Sequence, residues 1–169
     1  MKLLIPPKEI NDWSVRYDYP LSESNLIKKK SKIQKQGYLT KENLEELCKW
    51  KSPRSAGNMK RNSEEYINEI TQVSFQAKNE RTKIETLTAL DGVGWPTASC
   101  ILHLFSKEKY PILDFRALWS VNAEVPSQYS FDFWWEYVLF TRKLSEKNNI
   151  DMRSLDRALW QYSKNNQPV

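Results

Sequence analysis

Four glycines in 169 residues limit this chain more than any other feature of its sequence. Sheets joined by many tight reversals draw on glycine wherever the backbone must take positive φ, whereas helices need very little of it. Two of the four, Gly92 and Gly94, stand together in one segment, which leaves Gly37 and Gly57 for every other turn. Hydrophobic residues make up 40% of the chain, with seven Trp, eight Tyr and six Phe, enough to fill a sizeable core. No alternating pattern of any length competes with helical spacing, no repeat period occurs, and no segment is of low complexity. The expected fold is all-α, with roughly eight helices.

Residues 1–20 read as an irregular arm, interrupted by Pro6, Pro7 and Pro20, with Trp13, Tyr17 and Tyr19 available to pin it to a core. A helix is expected from Ser22 or Ser24 to Gln36, stopped by Gly37. Thr40 suits the N-cap of a second, and Asn62 or Ser63 that of a third, with Glu65 placed for a capping box. Further helices are expected over 80–90, 96–105, 114–119, 131–147 and 152–164, the last two capped by Ser130 and Asp151. The chain is short enough for one domain, or for two small lobes, a basic one over about 22–60 and a second over 61–164.

Charge is distributed unevenly. Residues 1–60 hold 13 Lys and Arg against 7 Asp and Glu, a balance of +6, while residues 61–169 hold 13 against 14. The excess around Lys28, Lys29, Lys30, Lys32 and Lys35, then Lys49, Lys51, Arg54, Lys60 and Arg61, fits a polyanionic partner. A solvated helix face would read the same way. Cys48 and Cys100 cannot make a disulfide framework or a four-cysteine metal site, and with His103 as the only histidine no zinc site of standard spacing exists. Met1–Pro7 is too short and too soon broken by proline for a signal peptide, and no apolar run approaches the roughly 18 residues of a membrane span. A soluble monomer of the cytoplasm, associated with the nucleoid and in contact with no membrane, is expected.

The pair of glycines belongs to Leu90-Asp91-Gly92-Val93-Gly94-Trp95-Pro96-Thr97-Ala98, between two helical stretches. Such a turn places bare backbone at its tip, with Leu90 and Val93 as buried anchors. Gly92 and Gly94 expose amides, and Thr97 adds a hydroxyl. The amides beyond Gly94 open the next helix, whose N-terminus suits a phosphate. Pro96 is compatible with that helix because proline is tolerated in the first turn. Twenty residues after Gly94 stands Asp114, at the head of another helix. It can cap that helix, and it can also stabilise positive charge developing on a sugar and orient a water.

Residues 82–119, hairpin and aspartate together, resemble the helix-hairpin-helix superfamily of base-excision DNA glycosylases. The resemblance implies that the hairpin, through Gly92, Val93, Gly94 and Thr97, grips the backbone of double-stranded DNA. It implies too that Asp114 is the catalytic carboxylate facing an extruded nucleotide. It allows one accessory group, a monovalent cation (potassium or sodium) shared between hairpin carbonyls and the phosphate, and no other cofactor or metal. Members that also nick the strand carry a Schiff-base lysine two residues after the second glycine; Pro96 stands there and has no amine. A monofunctional enzyme that leaves an abasic site is therefore expected. Asp91 departs from the superfamily's usual proline and puts an acid near the phosphate. Four-cysteine iron–sulfur clusters of some members have no counterpart here.

An extruded base stacks on aromatic faces. Trp50, Trp95 and Tyr110, together with Arg116, are the substrate-binding candidates, among a larger set that includes Trp119, Trp134, Trp135, Tyr137, Trp160 and Tyr162. For any single one of these aromatics a place in the core is the favoured reading. Lys49, Lys51 and Arg54 flank Trp50 in a stretch, through Ser55, that suits a DNA-facing loop and equally a polar connector with one buried Trp. Two other functions fit the same sequence: a DNA-binding module that keeps the hairpin without chemistry, and a helical protein-interaction domain whose Gly-Val-Gly corner is accidental.

Overall fold

The computed structural model describes residues 1–18, 20–54 and 56–168, so the expected roles of Tyr19 and Ser55 lie outside the described residues. Among the described residues the chain is all-α, with nine α-helices and no strand. None of the helices is long and apolar enough to cross a membrane. Two compact units are present, Met1–Asp18 with Lys109–Val169, and Tyr19–Glu108. The basic stretch 22–60 therefore shares its unit with the glycine hairpin, and the segment 82–119 runs through the division at 108/109.

The first unit contains α1 (Ile10–Val15), α7 (Phe115–Ser120), α8 (Phe131–Lys147) and α9 (Met152–Asn166). Where an irregular arm was expected, a 3₁₀ turn over Pro7–Glu9 leads into α1. The reason is positional: Pro7 takes the first position of the turn, where its missing N–H costs nothing. Ahead of it, Lys2 and Leu4 N–H donate to Val121 and Ser120 carbonyls at 2.7 and 2.8 Å, which ties the N-terminus to the end of α7. α9 is the hub and packs against α1, α7 and α8. Ser130 and Asp151 cap α8 and α9 through the N–H groups of Phe133 and Ser154.

The second unit contains α2 (Leu21–Gln36), α3 (Lys41–Lys51), α4 (Glu64–Gln76), α5 (Glu80–Leu87) and α6 (Trp95–Phe105). Gly37 ends α2 in the left-handed conformation, φ 85°, and its N–H returns to the Ile33 carbonyl. Thr40 caps α3 in a capping box with Asn43. Ser63 caps α4 through Tyr66 N–H, so the third residue of that helix is Tyr66 and Glu65 makes no box. α6 is the central helix: Thr97 through Phe105 are all buried, Cys100 and His103 included.

Candidate functional site

In the second unit the chain leaves α5 at Leu87 and reverses over Thr88–Gly94. Leu87 O accepts from Leu90 N–H and Leu90 O from Val93 N–H, at 3.2 and 3.0 Å. Leu90 and Val93 are buried, as anchors must be. Gly92 takes φ 82°, a conformation in which any Cβ is strained. The reversal is held from outside by Asn62. Its Oδ1 accepts from Asp91 N–H and its Nδ2 donates to Asp91 O, both at 3.0 Å, while Nδ2 also donates to Met59 O. With the Asp91 backbone committed in both directions, its exposed carboxylate is turned to solvent. Asn62 itself is buried, and Lys41 Nζ donates to its carbonyl at 2.7 Å.

Gly94 differs from Gly92. It is the exposed N-cap of α6 with φ −90° and ψ 179°, an extended conformation open to every residue type, and it offers no side chain to cap the helix. A Cβ built on it would meet nothing nearer than Pro96 Cδ at 3.9 Å. Nothing in the fold requires glycine at 94. The missing side chain matters to whatever approaches from outside, since bare backbone here opens onto the positive end of an eleven-residue helix. A cavity of about 550 Å³ lies against this turn, lined by Ser52 and the segment from Thr88 to Thr97 apart from Trp95. Thr97 is buried, and its hydroxyl is 2.9 Å from that of Ser52. That pair ties α6 to the end of α3 and sits in the cavity wall.

The cationic residues near the cavity are partly engaged. Trp50 stands in the last turn of α3 rather than in a loop; the break begins at Ser52, whose N–H bonds to Cys48 O. Trp50 is half-buried and, with Ser22, Asn25, Glu46 and Lys49, lines a smaller cavity of about 240 Å³. Lys49 pairs with Glu45 at 3.7 Å, Lys51 is half-buried, and Arg54 is exposed. In the lysine run, Lys29 pairs with Glu46 at 2.6 Å, so part of the basic excess is answered within the unit. Burial pushes the Cys48 thiol up to about 11, which keeps it protonated and inert at neutral pH.

Asp114 belongs to the first unit. The extended stretch Tyr110–Leu113 ahead of it is buried and pinned from two helices: Ile112 N–H donates to Asp156 Oδ1 of α9 at 2.9 Å, and the Tyr137 hydroxyl of α8 donates to Ile112 O at 3.4 Å. Asp114 emerges as the N-cap of α7, half-buried, its Oδ1 accepting from Arg116 N–H at 3.0 Å. The cap fixes one oxygen and therefore the plane of the carboxylate. Its charge is felt by two phenols. Burial raises Tyr17, Arg153 and Arg157 pull it back, and Asp156 and Asp114 push it up again. Tyr137 is raised well above the ordinary value by burial first, then by Asp156 and Asp114.

Of the aromatics proposed to meet a base, Tyr110 is a correction: it is fully buried, stacked 5.7 Å from Trp134 and covered by Arg142, whose guanidinium lies 4.9 Å from its ring centre. The proline that follows it and the two clamps on Ile112 place its ring in the core. Trp134 and Tyr137 are fully buried as well, whereas Trp95, Trp119, Trp160 and Tyr162 are half-buried. Arg116 lies with its guanidinium 5.4 Å from the Trp160 ring centre and 5.1 Å from that of Phe115, which is 59% exposed. Sequence reasoning missed Asn62, Ser52 and Phe115. The one available signal was redundancy: Asn62 and Ser63 are two adjacent cap-type residues for a helix that needs one. Comparison with protein-family models, with curated proteins and with solved structures finds no match to this chain.

Proposed function

We propose that this protein is a monofunctional DNA glycosylase, which docks on the phosphate backbone through the hairpin at Gly92–Thr97 and hydrolyses the N-glycosidic bond of an unusual base with Asp114 as carboxylate. The observation that carries the reading is Gly94. An exposed, unstrained glycine that the fold does not need, at the uncapped start of a helix and beside a left-handed Gly92, is what close approach of a phosphodiester demands. Binding of this kind reads no bases. It supplies docking that weakens steeply with salt, with a log–log slope of about −0.9 per phosphate neutralised.

Asp114 would act on the sugar. As the base departs, positive charge grows on the deoxyribose ring, and a fixed carboxylate stabilises that charge and accepts a proton from the attacking water. Because its plane is set by the Arg116 N–H, little reorganisation accompanies the reaction. Backbone carbonyls of the hairpin would be the ligands for a monovalent cation, whose charge would face the phosphate. Position 96 supplies no amine, so the product is an intact abasic strand that breaks only on added alkali or heat.

The exposed Asp91 carboxylate favours a second reading, a DNA-binding module without chemistry, because an acid beside the docking turn weakens phosphate contact. Incubation with a panel of modified duplexes, followed by mass spectrometry of released bases, separates the two. Release of one base with no adduct trapped by borohydride supports the glycosylase. Duplex binding with no release across the panel leaves the second reading.

A further inference from the structure

Aromatic rings on α7, the helix that Asp114 caps, and on α9, which packs against it, already carry cations. Trp160 of α9 has the Arg116 guanidinium 5.4 Å from its ring centre and the Lys164 ammonium 5.3 Å from it, and Tyr17 meets it in a T-shaped contact at 5.4 Å and 81°. Phe115, the residue that follows Asp114 and the most exposed aromatic of the group, lies under the same Arg116 guanidinium at 5.1 Å. Cations already held at a ring repel a further cation brought up to it. Guanidinium and ammonium N–H groups, by contrast, donate to carbonyl oxygens.

We infer that the base taken up beside Asp114 is neutral and carbonyl-bearing, and that purines made cationic by N-alkylation are rejected by Arg116 and Lys164. The inference rests on the glycosylase reading and adds the substrate class to it. It separates two charges that a glycosidase must handle. Positive charge developing on the sugar is met by the Asp114 carboxylate; positive charge on the base meets two like charges instead.

Charge can be isolated from shape with two hydrolysis-resistant 2′-fluoro duplexes, one carrying 7-methylguanine, a cation, and the other its neutral isostere 7-methyl-7-deazaguanine. The full-length protein should bind the neutral isostere about fivefold or more tightly than the cation. Lys164→Gln, an exposed position, should narrow that difference without disturbing the fold, and Arg116→Gln with Lys164→Gln should abolish it. Equal affinities, tighter binding of the cation, or a difference that survives in the double variant would each overturn the inference. The glycosylase reading is judged apart from this, by base release: a chain that keeps the preference yet frees no base from any duplex retains the specificity and loses the activity.

Discussion

Two helices of this protein begin in opposite ways. α6 starts at Gly94, with no side chain and an open positive end; α7 starts at Asp114, whose carboxylate fills the same position and bonds to its own helix. One start has no side chain to complete it, and the other presents an anion already in place. The proposed function assigns the first to a phosphate and the second to a sugar cation. Nothing in local stability dictates the contrast, because aspartate caps a helix better than glycine. Had only folding mattered, position 94 would gain from a cap.

The contrast can be broken most severely at Asp114. Asp114→Asn should keep the fold, since asparagine caps about as well, and duplex binding should persist or tighten slightly. Base release should fall by about 10²-fold or more, as when an electrostatic stabiliser is removed. Wild-type turnover in single-turnover assays on the true substrate would reduce Asp114 to a cap. Next in size is the exchange of one start for the other. Gly94→Asp should hold or raise the melting temperature while weakening all duplexes by about tenfold, because a carboxylate now occupies the place of the phosphate. Gly92→Ala should do the reverse in emphasis, with about 1–2 kcal/mol of stability lost to left-handed strain in denaturant titration.

Smaller effects test what supports the hairpin. Asn62→Ala removes both hydrogen bonds to the Asp91 backbone and should cost about 1–2 kcal/mol, with faster amide exchange confined to the turn. Uniform exchange across the unit would mean that Asn62 acts on packing instead. The smallest effect concerns acid. Burial pushes Glu108 up, but hydrogen bonds from Lys83 and Ser106 outweigh it and hold the group at about 2. A lowered carboxyl stabilises the fold above its unfolded value and loses that contribution as pH falls toward 2. Lys83 is buried but Glu108 is half exposed, so the screened pair contributes under about 1 kcal/mol, and Lys83→Met should flatten this part of the acid-unfolding profile.

Much of this architecture was legible in local sequence. Gly37, Thr40, Ser130 and Asp151 sit at helix ends because their conformational and hydrogen-bonding preferences act within three or four residues. The hairpin anchors Leu90 and Val93 were legible for the same reason. What escaped depends on partners far along the chain. Asn62 clamps Asp91 across 29 residues, and Tyr110 is claimed by Trp134 and Arg142, so neither role leaves a local trace. The helix at Ile10–Val15 escaped because prolines that end helices also begin them. Nor did glycine spacing alone reveal that Gly92 is required by its backbone and Gly94 is not.

The most direct measurement needs no knowledge of the excised base. Duplexes carrying a neutral tetrahydrofuran abasic mimic or a pyrrolidine mimic, positively charged where the sugar cation would form, should be compared for affinity in the wild type and in Asp114→Asn. A carboxylate built to meet that cation should favour pyrrolidine by about tenfold or more in the wild type and lose most of the preference in the variant. Equal affinity of the wild-type protein for the two mimics would contradict the assignment of Asp114 to catalysis.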